Sequence, residues 1–248
     1  MLRTTGDGSG TLFSERYNET YHSTHGAVTE SRHVFLDASG VSSRLESGCA
    51  TRILEIGFGL GLNTLISADA ALVANTALEF HSLENDAAVF EQARNLHYEA
   101  FLQHPELAEG LRAGLLSRVE LPDSDAGIIQ LAEKITLTIH QADAVEWCMR
   151  QPSTAPLLFD AVYLDAFSPD TNPECWAPEF FNSIRQLMAP HAKLSTYSAK
   201  GSVRRSLLAA GFRVNKMPGP PGKREMMVAS LQGGGYSHSA QNQACYSR

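Results

Sequence analysis

At 248 residues and 43% hydrophobic content, the chain is long enough for one large domain with a substantial core. A net charge of −7 argues against a generic nucleic-acid coat protein, and no apolar run approaches the roughly 18 residues of a membrane span. The opening "MLRTTGDGSG" has no apolar signal core, so a cytoplasmic protein is expected.

Residues 1–45 are polar and turn-rich, and short alternating stretches in "ERYNETYHSTHGAVTESRHVFL" predict an N-terminal extension of small strands or a hairpin. From residue 46 apolar runs alternate with amphipathic stretches, in a domain expected to end near residue 231. "TRILEI" (51–56) reads as a buried strand followed by a helix from about Gly61 to Leu72. "ALEFHSLE" (77–84) is the second strand, with a helix from Asp86 to about His97. "FLQHPELAEGLRAGLLSRV" belongs to a helical insertion over about 99–134, too long for an ordinary connection. "ITLTIHQAD" (135–143), "FDAVYLDAF" (159–167) and "AKLSTYS" (192–198) are the third, fourth and fifth strands. A helix through "SVRRSLLAA" follows, and "FRVNKM" and "EMMVASL" close the domain around "PGPPGK". The alternation predicts an α/β fold with a doubly wound, mostly parallel sheet of seven strands, the last two antiparallel. Residues 232–248 lack periodicity and are expected to be disordered.

"LEIGFGLGLNT" (54–64) places Gly57, Gly59 and Gly61 between a strand and a helix, where glycines permit a tight turn and close approach to a ligand. The spacing is G-x-G-x-G, which favours S-adenosylmethionine over NAD and predicts a Rossmann-like class I methyltransferase fold. Phe58 and Asn63 in the same turn join the cofactor-binding candidates. Glu55 stands where a carboxylate could reach the amino-acid end of the cofactor, or where it is merely a solvated strand end. Glu84 ends the second strand and is expected to accept from the ribose hydroxyls; Asp143 ends the third and is expected to hold the adenine amino group. Each acid alone could be a helix cap. Three in order at one sheet edge are harder to dismiss.

The fourth strand brings Asp165 and Phe167 to that edge, and Pro169, Asn172 and Pro173 break the backbone after them. A carboxylate can orient an amine and an aromatic face can stabilise positive charge, so both are candidate catalytic residues, Asp165 also bordering the cofactor. The bland reading is a helix cap and a core ring. A carboxylate also favours the ammonium form, which has no lone pair. From Lys200 to Arg224 the basic residues Lys200, Arg204, Arg205, Arg213, Lys216, Lys223 and Arg224 occur with no acid among them. They form a solvated face or a phosphate-binding edge. Cys49, Cys148, Cys175 and Cys245 have no metal-ligand spacing, the histidines form no cluster, and reduced thiols are expected.

"HVFL", "ILEIGFGLGLNTL", "DAVYLDAFSPDTNPECW", "STYSAKGSVRRSLLAAGF" and "GKREMM" occur in the order and spacing of the methyltransferase half of the bifunctional tRNA-modification family MnmC. The resemblance runs from about Asp7 to Ala229. It implies methylation of the aminomethyl nitrogen of 5-aminomethyl-2-thiouridine in the tRNA anticodon loop, with S-adenosylmethionine as donor and Asp165 and Phe167 at the amine. Lys200, Arg204, Arg205, Lys223 and Arg224 are then the expected tRNA contacts. No FAD-dependent oxidase domain follows, so the chain resembles the free-standing form, MnmD, whose aminomethyl substrate another enzyme must supply. "HGAVTESRHVFL", with Glu30, Ser31 and Arg32, also resembles the family and is expected to cover the substrate site. Three alternatives remain. A small-molecule amine methyl- or aminopropyltransferase fits poorly with the basic stretch, a non-catalytic tRNA-binding protein with the intact glycines and Asp165, and an NAD dehydrogenase with the glycine spacing.

Overall fold

The computed structural model describes residues 1–120, 126–152 and 157–233. Short alternating stretches at the start form a small antiparallel sheet from β1 (Leu2–Thr4), β2 (Gly10–Ser14) and β3 (Glu19–Thr20). The expected strands stop there. Ala27, Val28, Val34, Phe35 and Leu36 are buried at helical spacing, so α1 (Ala27–Glu30) runs into a π-helical stretch, Ser31–Asp37, and α2 (Val41–Glu46) follows. π-helical turns are rare and occur frequently at functional sites.

The main sheet is built from β4 (Thr51–Ile56), β5 (Leu78–Glu84), β6 (Ala126–Ala132), β7 (Ile135–Gln141), β8 (Phe159–Leu164), β9 (Met188–Thr196), β10 (Phe212–Pro218) and β11 (Glu225–Leu231). The spatial order is β10-β11-β9-β8-β4-β5-β7-β6. β9, β8, β4, β5 and β7 are parallel, and β10 and β11 are antiparallel as expected. The sheet has eight strands where seven were predicted. The eighth, β6, comes from the insertion and pairs antiparallel with β7, so 99–134 is only partly helical. "AGIIQLA" hides its alternation because two isoleucines are adjacent; Ile129 is buried while Ile128 is 73% exposed on the sheet edge.

Between these strands lie α3 (Leu62–Val73), α4 (Ala88–Arg94), α5 (Glu106–Glu120), α6 (Ala144–Arg150), α7 (Pro178–Gln186) and α8 (Gly201–Ala209). Successive strand side chains point to opposite faces, which makes two cores. Ile53, Phe80 and Tyr163 face α2, α3, α4 and α5; Leu54, Val162 and Leu194 face α6, α7 and α8. The chain runs outward through β4, β5 and β7 and then returns to β8 on the other side of β4. Open α/β sheets bind ligands at such a reversal, beyond the carboxyl ends of the strands.

Cys148 and Cys175 are buried free thiols, and Cys245 lies outside the described residues. The tail expected to be disordered lies, from residue 234, outside the described residues. Among the described residues no helix is long and apolar enough to cross a membrane.

Candidate active site

A cavity of about 420 Å³ opens where β4 and β8 end, within the size range of small-molecule sites. Its floor is the turn from β4 into α3. Gly57 has φ 94°, and a Cβ there would come within 2.8 Å of the Asp165 carbonyl oxygen. Only glycine lets the β4 and β8 ends approach this closely. Gly57, Phe58 and Gly59 line the cavity; Gly61 lies behind, where a Cβ would meet the Phe58 ring and Leu111.

Glu84 borders the cavity at the end of β5. Its carboxylate accepts from the Gly59 N–H at 3.1 Å and the Asp86 N–H at 2.9 Å, tying the second strand end to the glycine turn. Burial pushes its pKa up to about 7 despite those bonds. Asp143 also lines the cavity; it caps α6 by accepting from the Glu146 N–H at 3.0 Å. The glycine cradle, an acid at each of two neighbouring strand ends and the cavity volume together fit an adenosine-bearing cofactor.

Asp165 follows β8 directly, and its N–H donates to the Ile56 carbonyl at 3.0 Å, which fixes it beside the glycine turn. Its carboxyl opens into the cavity and accepts from Asn63 Nδ2 at 2.8 Å. Burial holds its pKa well above the ordinary range, helped by the charges of Glu30 and Glu55 and opposed by the Asn63 bond and Lys223. Glu55 is fully buried and does not reach the cavity surface. Asn63 Nδ2 donates to it at 2.9 Å and Ser82 Oγ at 2.5 Å, while Ser31 Oγ donates to Asn63 Oδ1 at 2.6 Å. Burial raises the Glu55 pKa to about 8.

Phe167 lines the cavity two residues on. Tyr17 stacks on its ring at 4.2 Å between centroids, and Tyr21 packs at 5.2 Å. The backbone around it is pinned from two sides: Trp176 Nε1 donates to the Phe167 carbonyl and the Tyr197 hydroxyl to the Ala166 carbonyl, each at 2.8 Å. Glu19 clamps the next residues, accepting from the Ser168 N–H at 3.1 Å and from the Ser168 and Thr171 hydroxyls at 2.5 Å. Partial burial works against the Glu19 charge, but these bonds hold its pKa below the usual range.

Tyr17, Glu19, Tyr21 and Tyr197 went unnoticed in the sequence, and Glu30 had no role. They lie in a polar stretch without periodicity or beside a strand end, and the family-like "HGAVTESRHVFL" was the one signal that the N-terminal segment reaches the site. The basic residues divide. Lys223 lines the cavity rather than an outer edge: its Nζ meets Glu30 at 2.5 Å and sits 4.1 Å from the Tyr197 ring centroid. Lys200 is exposed and pairs with Asp170 at 2.6 Å. Arg204, Arg205 and Arg224 are exposed, away from the cavity lining.

Comparison with known proteins agrees with this geometry. The chain is 33% identical over 237 residues to the tRNA 5-methylaminomethyl-2-thiouridine biosynthesis bifunctional protein MnmC of Cupriavidus necator, matching 90% of this chain and 33% of that protein. It is 34% identical over 233 residues to the protein of the same name from Pseudomonas aeruginosa, matching 92% and 34%. The chain thus spans about a third of the length of these curated relatives. The crystal structure of MnmC2 from Aquifex aeolicus superposes with a TM-score of 0.73 at 28% identity, covering 98% of this chain and 74% of that one. A family profile described as S-adenosyl-L-methionine-dependent methyltransferase matches residues 106–232. With just over half of its length inside that match, and with a parallel sheet that ends in a glycine cradle, the chain belongs to the S-adenosyl-L-methionine-dependent methyltransferase family.

Proposed function

We propose that the chain methylates the aminomethyl nitrogen of 5-aminomethyl-2-thiouridine at the wobble position of tRNA, giving 5-methylaminomethyl-2-thiouridine. The observation that carries this reading is Asp165, a shielded carboxyl aimed into the cavity and flanked by an aromatic wall. The names of the relatives supply the nucleoside. S-adenosylmethionine supplies an electrophilic methyl group on a sulfonium. The Gly57–Gly59 turn would cradle it, Glu84 would accept from its ribose hydroxyls, and Asp143 would face the adenine.

Asp165 also resolves the tension between a carboxylate and a protonated amine. In a site shielded from water, a carboxylate and an ammonium next to it are costly as separate charges, and passing one proton between them yields two neutral groups. A carboxyl with a raised pKa takes that proton more readily than an ordinary one. Phe167, backed by Tyr17, would face the positive charge that returns to nitrogen as the new bond forms. The exposed Arg204, Arg205 and Arg224, with Lys200, would meet tRNA phosphates outside the cavity.

The test uses labelled S-adenosylmethionine and tRNA from cells lacking this gene, followed by nucleoside analysis. Label should appear in 5-methylaminomethyl-2-thiouridine; label in free polyamines instead would favour the small-molecule reading. Asp165→Ala should lower single-turnover rates by roughly 10²-fold or more, the range of general acid–base catalysis, with cofactor and tRNA still bound. Asp165→Asn keeps an acceptor and loses the base, so a loss as deep as in Ala identifies proton removal. Near-parental rates in both variants would remove Asp165 from the chemistry.

A further inference from the structure

We propose that Glu55 is a positioning residue for Asp165, acting through the side-chain amide of Asn63 to orient the cavity carboxyl and strengthen it as a proton acceptor. The proposal rests on the methyl-transfer reading of the site. Its origin is the sheet register. Glu55 lies opposite Tyr163 across the parallel β4–β8 pair, so Asp165, two residues beyond Tyr163, leaves the sheet on the same face as Glu55. The first turn of α3 covers that face and inserts Asn63 between the two acids.

Both amide protons of Asn63 are then committed. Its Nδ2 donates to Glu55 at 2.9 Å and to Asp165 at 2.8 Å, and its Oδ1 accepts from Ser31 at 2.6 Å. The reversed amide would set an oxygen against two carboxyl groups, so the network fixes its orientation. Ser82 occupies the other Glu55 oxygen at 2.5 Å. Glu55 therefore has no free acceptor at the cavity surface with which to hold a cofactor amine.

A glutamine could make the same hydrogen-bonding shape without the cost of burying an acid. Burial raises the Glu55 pKa to about 8, and above that value the acid carries a charge that a glutamine would lack. The groups facing Asp165 are Glu30 from the end of α1, Glu55 from β4, Lys223 from the β10–β11 turn and Tyr197 after β9. Glu30, which is paired with Lys223 at 2.5 Å, and Glu55 both favour a proton on Asp165, and Lys223 opposes them less strongly. When ionised, Glu55 adds to that field from the other side of the shared Asn63 amide, favouring a proton on Asp165.

The proton balance follows. One N–H proton of the substrate ammonium passes to an Asp165 oxygen, leaving a lone pair on nitrogen. Nitrogen bonds the methyl carbon as the carbon–sulfur bond breaks, and the pair of that bond stays on sulfur. The product nitrogen departs positively charged, and Asp165 later returns its proton to solvent.

The test is a ¹³C titration of the Asp165 carboxyl in protein labelled at aspartate, assigned by its loss in Asp165→Asn, with S-adenosylmethionine affinity measured on the same samples. In Glu55→Gln the Asp165 midpoint should fall by about one pH unit, as expected on removing a neighbouring like charge. The acid limb of kcat should move down with it, kcat should drop roughly tenfold, and cofactor affinity should hold. Asn63→Leu, of similar volume, should lower kcat with the cofactor still bound. An unmoved Asp165 midpoint in Glu55→Gln overturns the proposal, as does lost cofactor affinity with an unchanged midpoint. Because the titration needs no substrate, a moved midpoint in a protein that fails to methylate tRNA would sink the substrate assignment and leave the Glu55–Asp165 coupling intact.

Discussion

Glu84 joins a conformational role to a proposed ligand role, and its protonation links them. Its carboxylate already accepts two backbone N–H groups, yet burial raises its pKa to about 7. Protonated Glu84 favours the free fold: this contribution is complete below the unfolded value near 4.5 and is lost as pH rises through 7. Ribose hydroxyls that donate to the carboxylate favour its charged form, so cofactor binding should expel a proton. S-adenosylmethionine affinity is expected to be constant above pH 7 and to weaken by up to about tenfold per unit below it. Calorimetry from pH 5.5 to 8.5 in buffers of different ionisation enthalpy checks both slope and proton release, and Glu84→Gln should flatten the profile. The positions of such residues were partly legible in the sequence. Glu84, Asp143 and Asp165 could be placed at the cavity edge because each closes a strand, although Asp143 also caps α6. Glu55 was legible only as a strand-end acid, since the sequence does not say that Asn63 and Ser82 each donate to one of its oxygens.

At the level of elements, the β4–α3 turn is the joint on which the site depends. Gly57 carries φ 94° within reach of the Asp165 backbone, whereas Gly59 at φ 53° faces only the Tyr21 ring, 3.4 Å from an added Cβ. Gly57→Ala should therefore be the more damaging change. It combines left-handed strain of order 1–2 kcal/mol with a backbone clash that pushes β8 away from β4. The expected outcome is a lower melting temperature together with loss of cofactor binding; a Gly57→Ala protein with parental stability and affinity would refute the close approach. The parallel strands were readable from their buried apolar residues, in a run as in β8 or alternating as in β7. β6 was not, because a strand on a sheet edge buries one side only and two neighbouring isoleucines blur its period. The π-helical stretch was also invisible, since its widened turn depends on tertiary packing against α3.

For the whole molecule, the acidic total conceals a divided surface. Lys200, Lys216 and Lys223 each pair with an acid, whereas Arg204 and Arg205 on α8 form no ion pair among the described residues. Charge free of intramolecular partners is what phosphates can use. Replacing both arginines with alanine should flatten the slope of log tRNA affinity against log salt by nearly two and leave S-adenosylmethionine affinity unchanged. Filter binding at several salt concentrations would show this, and a double variant with the parental slope would place the tRNA elsewhere. The sequence indicated the basic stretch as a unit, but only the fold separates charges already neutralised from those that are not.

The cavity walls are drawn from opposite ends of the chain. Glu19 meets Ser168 across 149 positions, and Glu30 meets Lys223 across 193. During translation at about 5–20 residues per second, Glu30 waits roughly 10–40 s for its lysine to be made. The nascent sheet can pair β4 with β5 long before that, while the N-terminal segment with Tyr17, Glu19 and Tyr21 has nothing to close against. Closure of the cavity is therefore a late event in the life of each polypeptide, set by synthesis of the β10–β11 turn rather than by formation of the glycine loop.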